Sequence, residues 1–506
     1  PQPDPQPTTI PTQSPPQWRQ DAYLKAPNAG SGDEFGNTVA LLGNTLAVGA
    51  EHESSSQNAI TTNPLNTLDN SAPNSGGVYV FLRNGDLWST DAFIKAVNAE
   101  EDDFFGHDLA LSENSLAVGT YSESSNQTFI SNSATASADN SAFNSGTVYV
   151  YRRSASGWAQ EAYIKASNNG QNDNFGYAVA LSGDTLAVGA CNEDSSYITN
   201  IMSSNETLTE SGAVYIYKRS GTTWALESFL KALNASVNDF FGDTLSLSGD
   251  TLAVGVSNED SSQTTITNGP TAASNDNAPE SGATYIFKRT TTNWSQEAYI
   301  KAGNAEGDDY FGWSVALSGD ALAVGATGES SLRNTIRNDS DADSNNSSAQ
   351  SGAVYLYRRN NSQWVQEAFI KASNANSTDE FGTALSLSGD VLAVGASNED
   401  SNQTTVTNGN LASINNEAQE SGAAYLFRRI QNSENSAWLW VQEAYIKAHN
   451  AESADAFGSA LALDGDTVSI SATRESSSQS TITNGAGGGT DNSAPASGAV
   501  YIFRKW

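Results

Sequence analysis

The sequence predicts an all-β chain, a seven-bladed β-propeller of four-stranded antiparallel blades, its ring closed by the N-terminal strand pairing with the C-terminal blade. Three observations carry that prediction. The pair Phe-Gly recurs at Phe35, Phe105, Phe175, Phe241, Phe311, Phe381 and Phe457, at spacings of 70, 70, 66, 70, 70 and 76 residues, and self-similarity at a fixed period marks a repeat architecture. Each copy holds four short segments of strand composition and none with sustained helical periodicity. The chain opens on a fourth segment (Trp18 to Lys25) and stops just after a third (Ala499 to Arg504).

Each strand can be justified on one copy. The first segment, FGYAVAL at Phe175–Leu181, has the small and β-branched residues of a packed inner strand. Ser182-Gly183-Asp184 is a tight hairpin signal. It leads into the second segment, TLAVGA at Thr185–Ala190. The third, GAVYIYKR at Gly212–Arg219, is rich in β-branched and aromatic residues. The fourth is typified by WAQEAYIKA at Trp158–Ala166, and a short polar turn such as Ser154–Gly157 joins third to fourth. Four antiparallel strands per copy, seven times, describes the blades of a propeller. The two incomplete ends choose a closed ring over a linear stack: pairing them satisfies both free edges at once. Tyr23 is therefore expected beside the Tyr501 strand. Blade one is 35–95, and blade seven is 457–506 together with 18–25.

Residues 18–506 form the propeller domain. Residues 1–17 hold seven of the thirteen prolines, a composition that favours an extended spacer or tether and offers a route to self-assembly. The start at Pro1 implies a processed chain with its signal peptide already removed.

Charge and composition narrow the function. Lys and Arg number 24 against 57 Asp and Glu, a net charge of −33, which argues against nucleic acid as a partner. No apolar run approaches the ~18 residues of a membrane span. Cys191 is the only cysteine, excluding an internal disulfide and a thiolate zinc cluster. The three histidines (His52, His107, His449) are far apart in sequence.

Several polar residues recur in every copy. An Asp stands two residues before Phe-Gly: Asp33, Asp103, Asp173, Asp239, Asp309, Asp379 and Asp455. A Glu follows the second strand: Glu53, Glu123, Glu193, Glu259, Glu329, Glu399 and Glu475. A Lys ends the fourth strand, from Lys25 to Lys447, and Asn28 or an equivalent follows three residues later. Two readings stand side by side. The carboxylates are structural, bridged by a lysine that a half-buried charge requires; or they and the long loop after the second strand, with its ITN and DNSA segments, supply oxygen ligands for Ca²⁺. The seven tryptophans that open the fourth strands read as packing residues.

The long loops and the acidic segments fall on one face of the disc, which is the expected binding surface. There the position after Phe-Gly breaks the symmetry: Asn37, His107, Tyr177, Asp243, Trp313, Thr383 and Ser459. These begin the innermost strands at the mouth of the central channel, and are the candidate ligand-binding residues for a glycan or a protein.

The Phe-Gly start, ALSGDTLAVGA and SGAVYIYKR resemble the FG-GAP repeat, a family that includes the integrin α-subunit propeller and bacterial surface proteins. The resemblance covers residues 18–506 and is nearest the bacterial variety. It implies a non-catalytic extracellular binding or adhesion module, secreted or on a cell surface, with a protein or glycan partner. The alternatives are an architectural subunit of a surface filament and a propeller glycosidase or lyase, though no asymmetric acid pair or nucleophile–base set stands out. The integrin repeat carries a DxDxDG calcium loop between its first two strands; here that hairpin is only Ser182–Asp184.

Overall fold

The computed structural model describes residues 16–506, except 62–68, 197–206, 292 and 341–344. The Pro-rich segment falls almost wholly outside the described residues. Among the described residues there is no helix; the chain is strands and turns throughout.

Seven antiparallel sheets follow one another around a ring. In blade three the strands run from the axis outward as Phe175–Ser182, Thr185–Ala190, Ala213–Ser220 and Thr223–Leu230. Alternation in the third strand sends Val214 and Ile216 into one inter-blade layer and Tyr215 and Tyr217 into the next, because successive side chains point to opposite faces. Each apolar layer thus lies between two sheets, and burying it requires a neighbour on both sides. That is why the blades close into a ring.

Blade seven is made of Phe457–Asp464, Thr467–Ala472, Ala499–Lys505 and then Trp18–Leu24 as its outermost full strand. Tyr23 stands opposite Tyr501 in that pairing, as expected.

Two local details go beyond the sequence expectation. The Phe-Gly pair is a bulge rather than regular strand: between Phe175 and Val179 the register against the second strand shifts. Gly176 sits there at φ 93°, and a Cβ on it would meet the Thr147 carbonyl oxygen of the preceding blade at 2.4 Å, so only glycine fits. Second, the long loops are held without a core of their own. Their tips fold down over the outer strand, adding Thr267–Asn268, Thr407–Asn408 and Thr483–Asn484 as a fifth strand in three blades. Single bridges at Thr61, Ser131 and Arg337 do the same in three more. In the DNSA segment Asp69 accepts hydrogen bonds from Ser56 and Ser71, and Asp491 does so from Ser478 and Ser493. These donors hold both carboxyls below the usual carboxylate range.

Candidate functional site

The sevenfold residues form one network, repeated without exception. Glu53, Glu123, Glu193, Glu259, Glu329, Glu399 and Glu475 each accept from the lysine that ends their own blade's outer strand, at 2.8 to 3.0 Å. The lysine also donates to a buried serine at 2.7 to 2.8 Å. The second carboxylate oxygen accepts from the asparagine after the preceding blade's outer strand, at 2.8 to 3.3 Å (Asn28 to Glu53, for example). That asparagine in turn accepts from a buried tyrosine hydroxyl, as Asn28 does from Tyr79 at 2.6 Å. Lysines and glutamates are both essentially inaccessible to solvent.

The lysine does not reach the Asp. Asp33, Asp103, Asp173, Asp239, Asp309, Asp379 and Asp455 each accept instead from the backbone N–H three residues earlier, at 2.7 to 2.9 Å. The reason is local: a short side chain inside a tight turn finds its own backbone first. Burial, reinforced by the neighbouring glutamate, raises the carboxyls of Asp33 to about 6, Asp239, Asp309 and Asp455 to about 7, and Asp103 and Asp379 to about 8.

A second belt ties the blades together at the opposite end of the disc, and sequence reasoning missed it. Each indole Nε1 donates to an acid on the outer strand of the preceding blade: Trp88 to Asp21, Trp158 to Asp91, Trp224 to Glu161, Trp294 to Glu227, Trp364 to Glu297, Trp440 to Glu367 and Trp18 to Glu443. An arginine of the same blade as the tryptophan joins several of these, as Arg219 joins Glu161 at 2.6 Å. Loop-tip asparagines complete the tie; Asn268 accepts from the Trp364 backbone N–H at 2.6 Å.

Inside these belts lies the channel. Asn37, His107, Tyr177, Asp243, Trp313, Thr383 and Ser459 all line one cavity of about 380 Å³. Its wall is uneven. On blades six, seven and one the residues are small or amide-bearing and already satisfied: Thr383 donates to the Glu380 carbonyl, Ser459 shares a hydrogen bond with Ser471, and Asn37 donates to the carbonyls of Gly106 and His107. On blades two to five they form an arc of aromatic rings and charge. The His107 ring lies 4.5 Å from Tyr121 and 4.8 Å from Tyr177, and its Nδ1 is 2.7 Å from Glu51. Burial works against protonating His107, but the Glu51 carboxylate outweighs it and raises the imidazole. Burial pushes Asp243 up to about 6, with His107 pulling it back. No hydrogen bond to the Asp243 carboxylate is found among the described residues. Trp313, 44% exposed, stands next along the arc, its ring 6.2 Å from Tyr310.

These features place the chain among known repeats. The Phe-Gly bulge, the two-residue hairpin and the aromatic third strand match the FG-GAP repeat over residues 18–81, 158–217, 294–357, 364–427 and 440–503. The chain belongs to the FG-GAP repeat family. No curated protein matches it. Among solved structures it is similar to the crystal structure of Chaetomium thermophilum Sqt1, at 11% identity, covering 90% of this chain and 84% of that one, with a TM-score of 0.43.

As an FG-GAP propeller the chain lacks the donors of the integrin calcium loop: the Ser182–Thr185 hairpin has only Gly183 and Asp184 at its tip. That site does not fit here. At the fourteen recurrent carboxylates, a divalent cation on any glutamate would have to displace a lysine already bound to it. One further set of donors, Glu34, Glu51 and His52 on blade one, lies within 4.8 Å of one another. No helix among the described residues is long and apolar enough to cross a membrane.

Proposed function

We propose that this FG-GAP chain is a non-catalytic binding propeller, secreted or held at a cell surface, that engages a protein partner through its channel mouth. The observation behind this reading is the uneven wall of the cavity. Sevenfold symmetry is kept wherever structure needs it and broken where a ligand would sit. The arc from His107 to Trp313 offers ring faces and, in Asp243, a half-buried carboxylate that accepts no hydrogen bond among the described residues. Such a combination suits a lysine or arginine side chain, which gains from both the rings and the charge. The net charge of −33 would draw a basic partner in. A glycan, offering hydroxyls and no charge, uses less of what the arc provides. The recurrent lysine-bound carboxylates serve the framework in this reading, and no role is left for them in turnover.

Arrays of basic peptides and of glycans test the proposal. Basic peptides should bind, more weakly as salt rises, and Asp243→Asn or Trp313→Ala should cut that binding at least tenfold while the melting temperature holds. Glycan binding lost in the same variants would assign the mouth to sugars instead. Peptide binding indifferent to both variants would remove the mouth from the function.

A further inference from the structure

The cavity at the channel mouth is graded from top to bottom. Each inner strand leaves its Phe-Gly bulge and runs down the axis, so the first, second and third residues after the pair form three successive rings. A strand advances about 3.3 Å per residue, which sets the third ring roughly 7 Å below the first. The first ring carries the aromatic arc and Asp243. The second is small or already engaged. Ala178, Ala384 and Ala460 offer only methyl groups. Thr244 donates to the Gly312 carbonyl at 3.0 Å and Ser314 to the Gly382 carbonyl at 2.6 Å. Asp108 accepts from the backbone N–H groups of Leu109 and Val179 and from the Thr38 hydroxyl. The third ring is apolar: Val39, Leu109, Leu245, Val315, Leu385 and Leu461. Among the described residues none at the fourth position lines the cavity, so this ring is its floor. Leu245 and Leu385 are only partly covered there.

We infer, on the reading of the mouth as a cation site, that it receives the free amino terminus of a partner chain whose first residue is aliphatic, with the α-ammonium at Asp243 and the side chain on the Val/Leu floor.

The vertical order of charge and apolar surface selects among cations. A lysine or arginine carries its charge at the far end of an aliphatic stem. Inserted end first, it would set that charge against the floor, where an unpaired ion is costly to bury. Laid across the rim, it reaches Asp243 and leaves the floor empty. An amino-terminal aliphatic residue has the opposite arrangement, its charge at the backbone and its apolar group beyond it. The ammonium then stays level with Asp243, between Tyr177 on blade three and Trp313 on blade five, whose ring faces attract it as well. The aliphatic group descends past the alanines of the second ring. Hydroxyls and carboxylate in that ring are already bonded within the protein, so a polar group placed there gains little. Size points the same way. At about 380 Å³ the cavity is near the small end of the range for ligand sites. It admits the end of a chain more readily than a loop that must enter and leave.

Fluorescence anisotropy with the full chain and short peptides labelled at their C-termini tests this. Four peptides suffice: one beginning with leucine, the same peptide N-acetylated, one beginning with glycine, and an acetylated peptide with one internal lysine. The free leucine-first peptide should bind. Acetylation, or glycine in first place, should each weaken binding at least tenfold, the factor that burying an aliphatic side chain gives. Ala384→Leu narrows the way to the floor; it should erase the preference for leucine over glycine and keep the need for a free amine. Leucine-first and glycine-first peptides binding wild type equally would overturn the role of the floor. The acetylated lysine peptide binding as tightly as the free leucine-first one would overturn the amino terminus as ligand and leave the mouth a cation site. Binding by none of the four would overturn the cation reading together with the inference.

Discussion

Tyr23 and Tyr501 face each other across an antiparallel pair, their rings 5.1 Å apart and steeply tilted, although 478 positions (501 − 23) separate them in the chain. Tyr23 also donates to Glu475 at 3.0 Å, and it is fully buried. The contact closes the ring. Tyr23→Ala removes a buried aromatic and leaves Glu475 short of a donor, a loss of about 3–5 kcal/mol on the scale of large core truncations. Denaturant unfolding should show it as a lower midpoint. The same substitution at the exposed Leu87 should shift the midpoint far less.

The Lys95–Glu53 pair makes a contrasting prediction. Lys95→Met strands a buried carboxylate and should cost ~3–5 kcal/mol, whereas Lys95→Met with Glu53→Gln should recover much of that loss, because the penalty lies in the uncompensated charge. A double-mutant cycle from denaturation midpoints measures it. Equal losses in the single and double variants would mean that the pair's worth lies in its shape and not in its charge.

The buried aspartates give the stability a pH dependence of definite sign. Asp33 is raised to about 6, Asp239, Asp309 and Asp455 to about 7, and Asp103 and Asp379 to about 8, mainly by burial. In the unfolded chain an Asp titrates near 3.9. Between these values the folded state binds more protons, so stability falls as pH rises. The melting temperature should therefore decline from pH 5 to pH 9. In Asp379→Asn, which keeps an oxygen for the Asn376 N–H, the decline should be shallower. A melting temperature that rises over this range would contradict the burial of these groups.

How much of this could be read from the chain alone depended on repetition. The blades and the Lys, Glu, Asp and Asn sets each occur seven times, and a sevenfold signal survives any single substitution; the closing strand was found because it is the fourth strand that the last blade lacks. The mouth residues were found by the opposite sign, as an inner position that differs in every copy. Glu51 and Tyr121 were missed, though the position after the second strand also varies and both pack against His107 at the mouth. The tryptophan belt was missed for another reason. Asp21, Asp91 and Glu161 recur, but one acid per alternating strand looks like an ordinary solvated face until the indole of the next blade is brought onto it. The fifth strands, two residues long, carry no periodicity to detect.

Calcium supplies the last prediction. A ligand at free concentration L that binds only the folded state stabilises it by RT ln(1 + L/Kd), about 2.7 kcal/mol at a hundredfold excess over Kd. Seven such sites would make the melting temperature depend steeply on the free ion. The geometry argues otherwise for the fourteen recurrent carboxylates. Each glutamate already has lysine on one oxygen and asparagine on the other, and each aspartate turns an oxygen toward its own backbone. Positive charge is thus supplied from within, by a residue that cannot be removed with a chelator. Melting curves in excess EDTA and in millimolar CaCl₂ should superimpose within about 1 °C. A separation of several degrees, abolished by Glu53→Gln or Asp33→Asn, would return the metal to these positions. A separation abolished only by His52→Ala would place it instead on the Glu34, Glu51 and His52 cluster beside the mouth.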